Sequence, residues 1–130
     1  MRLLLDTHYL VWLTILADRL TEGEFALLDE HEVVASSISF WELRIKWEAV
    51  DKLGRRKGPV DPRHVLGMLP VWHIRALPLE PDQACATLVD PIVHKDPFDL
   101  QLLVHAQTLG ARLLTRDTRL LTHPLAYRPT

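Results

Sequence analysis

The fold is indicated by a stretch near the start of the chain, residues 3–17, with the sequence LLLDTHYLVWLTILA. Three consecutive leucines predict a short strand that is buried on both faces, and the Asp-Thr pair after them begins a helix extending to about Ala17. A strand that feeds directly into a helix is the building unit of parallel sheets. The stretch therefore predicts an α/β domain with Asp6 at the carboxyl end of its first strand.

The same alternation continues along the rest of the chain. Further strands are predicted over residues 32–35, 74–79 and 112–115, and helices over residues 22–30, 39–50, 61–69, 81–88 and 96–109. Two capping boxes, Thr21 with Glu24 and Ser39 with Glu42, support two helix starts, and Gly110 ends the last helix. A short helical turn is expected after residue 117. The pattern predicts a three-layer α/β/α fold with a parallel central sheet, in one domain over residues 1–130.

Composition and charge exclude several classes of protein. The 130 residues are 48% hydrophobic and 25% charged, as in an ordinary globular domain. A formal net charge of -2 argues against a protein that simply coats nucleic acid, although basic residues cluster over 46–57 and 112–128. No apolar run approaches the roughly 18 residues of a membrane span, and Asp6 and His8 interrupt the only leader-like stretch. With one cysteine, Cys85, and no possible internal disulfide, a cytoplasmic location is expected.

Four carboxylates, on Asp6, Glu42, Asp99 and Asp117, fall close to predicted strand ends and helix starts. Each has a local explanation as a helix cap, and Glu42 has Lys46 as a salt-bridge partner four residues on. Together they are better explained by a shared site, because a parallel sheet brings the carboxyl ends of its strands to one edge. Crowded carboxylates repel unless a cation neutralises them, and oxygen ligands suit Mg²⁺ or Mn²⁺. A metal held there can activate water for phosphodiester hydrolysis.

Histidines offer a competing interpretation, in which His8, His94 and His105 join carboxylates in a zinc site. Their spacing disfavours it, because no HExxH or comparable pair occurs. His94 is interpreted as a phosphate contact and His105 as a helix position beside the core. The residues that are weaker candidates for positioning a substrate or water are Thr7, Ser39, His94, Thr115 and Arg116.

Four segments carry a resemblance to a known family. They are LLLDTHYLVW at residues 3–12, SSISFWELRIK at 36–46, HKDPFDLQLL at 94–103 and LLTRDTRL at 113–120. In order and spacing they resemble the PIN domain toxins of the VapC type, over essentially the whole chain. Two positions depart from the family pattern: Leu100 stands where many relatives have arginine, and His105 replaces a frequent glutamine.

The resemblance implies a PIN-like fold and a Mg²⁺- or Mn²⁺-dependent endoribonuclease that acts as a toxin. It implies that Asp6, Glu42, Asp99 and Asp117 hold the metal and carry catalysis, with Asp96 either as an extra ligand or as a group that supports the ligands. A cognate antitoxin that blocks the acidic site is the implied partner, and a homodimer is expected through apolar surface around Trp12 and Trp41. The alternative from another class is a non-catalytic PIN-like module that binds metal or nucleic acid.

Overall fold

The computed structural model describes residues 1–129. Its strands are Arg2–Leu5 (β1), Glu32–Ser36 (β2), Arg75–Leu77 (β3), Arg112–Leu114 (β4) and Ala126–Tyr127 (β5). Its α-helices are Thr7–Ile15 (α1), Glu22–Glu30 (α2), Ser37–Glu48 (α3), Pro62–Met68 (α4), Pro81–Ala84 (α5) and Pro97–Leu109 (α6), with 3₁₀ turns at Ala17–Arg19 and Leu69–Trp72. Within this described part, no helix is both long and apolar enough to cross a membrane.

The five strands form one sheet in the order β3-β2-β1-β4-β5, and every neighbouring pair is parallel. Strand β1 lies at the centre, with Leu4 opposite Val34 on one side and Leu113 on the other. The peptide N–H of Asp6 donates to the carbonyl oxygen of Leu114 at 3.0 Å, which extends the β1–β4 pairing by one residue. Asp6 is thereby fixed at the middle of the carboxyl edge.

The leucines of β1 explain the three layers. Leu3 and Leu5 point to one face, where they join a core cluster with residues of α1, α2 and α4. Leu4 points to the opposite face and packs with Leu102 of α6. All three leucines are fully buried, as expected when side chains alternate across a sheet that is covered on both sides. The predicted α/β/α fold with a parallel sheet is confirmed.

Helix α3 begins earlier than predicted, and this changes the role of Ser39. The hydroxyl of Ser36 accepts a hydrogen bond from the N–H of Ile38 at 3.0 Å and caps the helix there. The predicted Ser39–Glu42 capping box is therefore wrong: Ser39 lies inside the helix and Glu42 in its second turn. The helix also ends at Glu48, two residues before its predicted end at residue 50.

The remaining differences lie in short elements. A fifth strand, Ala126–Tyr127, was not predicted, because two residues carry no periodic signal. Helix α5 ends at Ala84 rather than near residue 88. The helix stop at Gly110 is confirmed, since this residue adopts the left-handed conformation with φ of 63°.

Candidate metal centre

Asp6 and Asp117 lie at the ends of the neighbouring strands β1 and β4, and Thr115 connects them. The Thr115 hydroxyl donates to Oδ2 of Asp6 at 2.7 Å and accepts from the N–H of Asp117 at 3.0 Å. Asp6 is only 4% exposed and occupies the N-cap position of α1, yet its side chain makes no capping hydrogen bond. The local explanation of Asp6 as a helix cap is thus not what the structure shows.

Glu42 is a buried carboxylate with a hydrogen-bond partner for only one of its two oxygens among the described residues. Its Oε2 accepts a hydrogen bond from the Nζ of Lys46 at 2.7 Å, the salt bridge expected four residues apart on a helix. Its Oε1 is buried and has no hydrogen-bond partner among the described residues. Because buried polar atoms are rarely left without a partner, this oxygen has the property expected of a metal ligand.

Asp99, His94 and Asp117 form the tightest group of potential ligands. Asp99 lies in the first turn of α6, and its Oδ2 is 2.8 Å from Nε2 of His94. One ligand atom from each of the three residues lies within 4.8 Å of the others. Such a group is compact enough to hold one cation with two carboxylate oxygens and one imidazole nitrogen.

The pKa values of Asp6 and Asp99 are raised because both carboxyl groups are buried and lie near other acids. Burial raises the pKa of Asp6, and the charge of Glu42 adds to the effect, while the Thr115 hydrogen bond opposes it. Burial also raises the pKa of Asp99, with the charges of Asp6 and Asp96 acting in the same direction against the hydrogen bond of His94. A cation placed among these groups would relieve both the desolvation and the repulsion.

Two of the aspartates are engaged locally as well. Asp117 accepts hydrogen bonds from the backbone and guanidinium of Arg119, at 2.8 to 3.1 Å, and these lower its pKa. Asp96 caps α6 by accepting from the N–H of Phe98 at 2.9 Å and, more weakly, of Asp99 at 3.4 Å. Asp96 therefore has one committed oxygen and one still available to a ligand.

The weaker candidates separate into two groups. Thr7 and Ser39 lie together, because their buried hydroxyl groups are 2.8 Å apart across α1 and α3. Arg116 forms an ion pair with the buried Glu24 and makes no hydrogen bond to the four predicted carboxylates among the described residues. No sequence pattern predicted this pair, which joins residues 92 positions apart.

The three histidines do not form one site. His105 lies fully buried on α6, where Nδ1 is 2.8 Å from the hydroxyl of Ser36, and burial lowers its pKa. His8 is exposed, with Nδ1 3.8 Å from Oδ1 of Asp6. Only His94, which the sequence analysis assigned to a phosphate, joins the compact group, so the zinc site of three histidines is not formed.

The fold and the site define a class: a three-layer α/β/α domain with an acidic centre, suited to a divalent cation, at the carboxyl edge of a parallel sheet. The sequence matches the PIN domain family over residues 3–124, and the chain belongs to that family. The search of curated proteins returned no match.

Among solved structures, the chain is similar to a protein in the crystal structure of VapBC2 from Rickettsia felis bound to a DNA fragment from their promoter. The TM-score is 0.58 at 14% sequence identity, with 97% of this chain and 96% of that chain covered. At this identity the likeness supports the fold, which it shares over almost its full length.

Proposed function

We propose that the chain is an endoribonuclease that hydrolyses RNA phosphodiester bonds with Mg²⁺ or Mn²⁺. The observation that carries the proposal is the buried Oε1 of Glu42, which has no hydrogen-bond partner among residues 1–129 and lies at the edge where Asp6 and Asp99 are held with raised pKa values. PIN domains are generally nucleases, which supports a hydrolase.

Asp6, Glu42, Asp99 and Asp117 would hold the metal, and His94 would complete the ligand set, with Asp96 nearby. When bound, the cation supplies an activated water and neutralises charge that develops on the phosphate. Thr115 keeps the carboxylate of Asp6 in place, and Arg119 does the same for Asp117. The paired hydroxyls of Thr7 and Ser39 orient water or phosphate oxygens beside them.

In the cell we propose the role of a cytoplasmic toxin in a type II toxin–antitoxin system. The supporting observation is the shared fold with a protein in the VapBC2 structure. A cognate antitoxin would cover the acidic centre. A homodimer remains a proposal: Trp41 is 50% exposed in an apolar groove with Leu66, whereas Trp12 lines a different cavity.

The test is cleavage of a labelled RNA pool by the purified chain with Mg²⁺ or Mn²⁺. We expect cleavage that EDTA stops and that Asp6→Asn abolishes without loss of folding, checked by circular dichroism. Asp82→Asn is the matched control, because Asp82 is exposed on α5 and should leave cleavage unchanged.

Cleavage that persists in EDTA or in the Asp6→Asn variant would contradict the proposal. Calorimetric Mn²⁺ binding with no cleavage of any RNA would instead favour the non-catalytic module.

A further inference from the structure

A cavity of about 360 Å³ adjoins the metal centre, a volume in the range of small-molecule sites. Asp6 and Asp117 form one end of the cavity. The rest of its lining comes from α1, the 3₁₀ turn after it and the segment after β4, and consists of His8, Tyr9, Trp12, Arg19 and Arg116. Two carboxylates of the centre thus share one cavity with three aromatic or imidazole rings and two guanidinium groups.

Trp12 is the central ring of this cavity. The guanidinium carbon of Arg116 lies 4.4 Å from the centroid of the Trp12 ring, and that of Arg19 lies 6.0 Å from it. The exposed ring of His8 stacks on Trp12 with a centroid distance of 5.8 Å and an interplanar angle of 25°. Planar rings and cations of this kind are the groups on which proteins stack unpaired bases.

Arg116 is held rigidly, so it shapes the wall of the cavity. Its Nε donates to Oε2 of Glu24 at 2.9 Å, and its Nη2 donates to Oε1 of Glu24 and to the carbonyl oxygen of Arg19. Glu24 is 1% exposed and also accepts from the hydroxyl of Tyr9. The charge of Arg116 is therefore balanced inside the protein, and its plane is fixed against Trp12.

Arg19 differs from Arg116 in having no such partner. Its exposed guanidinium makes no hydrogen bond or ion pair with residues 1–129, although its main chain is fixed by Arg116. Two other exposed arginines are paired, Arg63 with Asp61 and Arg75 with Glu32. The positive charge of Arg19 is therefore not balanced by a carboxylate partner. A guanidinium in this state, at a cavity that adjoins the acidic centre, is suited to bind a phosphate.

We infer that this cavity binds the nucleotide next to the scissile phosphate of a single-stranded RNA. The base stacks on the His8–Trp12 pair, and Arg19 contacts the phosphate that follows. The inference rests on the proposed nuclease function, and it adds a substrate subsite formed by residues outside the acidic centre. It also requires an unpaired base, because a base inside a duplex cannot reach the rings.

The test uses Arg19→Ala, since the Arg19 side chain makes no hydrogen bond or ion pair with residues 1–129 and its one ring contact, with Trp12, is long at 6.0 Å. The matched control is Arg75→Ala, an exposed arginine at the opposite edge of the sheet. Binding of a short fluorescein-labelled single-stranded RNA is followed by anisotropy in EDTA, where a metal-dependent enzyme does not cut. Loss of one phosphate contact should weaken binding about tenfold at about 0.1 M salt. It should also reduce the slope of the logarithm of the binding constant against the logarithm of the salt concentration by about one. Arg75→Ala should bind as wild type does.

Two further measurements address the base and the reaction. RNA should quench tryptophan fluorescence in wild type and in Trp47→Phe, and the quenching should be lost in Trp12→Phe. With metal present, Arg19→Ala should raise KM several-fold while kcat changes less than about twofold. The reason is that the contact stabilises the bound substrate and the transition state equally.

Equal RNA binding by Arg19→Ala and Arg75→Ala, or quenching that survives in Trp12→Phe, would overturn the subsite. Failure of the wild-type chain to cut any RNA would instead overturn the proposed function, and the binding measurements in EDTA would still decide the subsite.

Discussion

Glu24 and Glu42 are two buried glutamates that differ in how completely their carboxylate oxygens are hydrogen-bonded within the protein. Glu24 is 1% exposed, and both of its oxygens accept hydrogen bonds from Arg116, Tyr9 or the backbone of Thr21. Glu42 is 6% exposed, and its only side-chain partner in the described part of the chain is the half-exposed Lys46, which donates to one oxygen. The first carboxylate is fully satisfied by the protein, and the second is not.

This difference separates a structural acid from a candidate ligand. A buried charge with complete internal partners is costly to remove, because its loss leaves those partners unsatisfied. A buried carboxylate with a free oxygen beside other acids is costly until an external cation arrives. The same Glu→Gln substitution should therefore have opposite consequences at the two positions.

The largest expected effect is on activity at Glu42. Substituting a residue that only orients a metal ligand lowers activity by up to about a hundredfold. Glu42 is proposed as a ligand itself, so Glu42→Gln should lower the rate of RNA cleavage more than about a hundredfold. Its unfolding free energy without metal should not fall below that of wild type, because glutamine removes a buried charge and Lys46, which loses its partner, is itself half-exposed. Cleavage rates and urea denaturation on the same preparations measure both.

The assignment of Glu42 as a metal ligand would be contradicted if Glu42→Gln cut RNA at the wild-type rate, or if the variant lost stability without losing Mn²⁺ binding. A thermal shift on adding Mn²⁺ provides the second readout. Mn²⁺ at about ten times its dissociation constant should stabilise wild type by about 1.4 kcal/mol, and the variant by clearly less.

The next effect is on stability at Glu24. Glu24→Gln leaves Arg116 without its counter-charge in a partly buried position, and should lower the unfolding free energy by about 2 kcal/mol. Urea denaturation measures this, with Glu30→Gln on the same helix as the control, because Glu30 is exposed and unpaired among the described residues. A Glu24→Gln protein as stable as Glu30→Gln would show that Glu24 is not a structural acid.

The sequence was sufficient to predict the parallel α/β/α fold and the position of Asp6 at the end of its first strand. Three leucines followed by Asp6 predicted a buried strand ending at the site, because strand patterning and parallel topology follow general rules. The capping box of Thr21 with Glu24 was predicted correctly for the same reason, since both partners lie within one turn.

What the sequence could not supply were contacts between distant segments. Glu24 was assigned only as a cap, whereas its main partner, Arg116, arrives from the loop after β4. His94 was interpreted as a phosphate contact, and only the folded loop brings its Nε2 to within 2.8 Å of Asp99. Such pairings depend on how elements pack, which residue spacing does not encode.

The smallest expected effect is a pH dependence that isolates Glu24. Although burial raises its pKa, the hydrogen bonds of Arg116 and Tyr9 lower it from 4.5 to about 2. A carboxyl group with a lowered pKa in the folded state stabilises the protein above its unfolded pKa, and this contribution is lost as the pH falls toward the folded value. The stability difference between wild type and Glu24→Gln should therefore shrink by about 1 kcal/mol between about pH 6 and about pH 3.5. Because Glu22→Gln on the same helix leaves this pair intact, its difference from wild type should stay nearly constant over that range. A constant difference for Glu24→Gln as well would mean that Glu24 is not held ionised by Arg116, and the contrast with Glu42 would lose its physical basis.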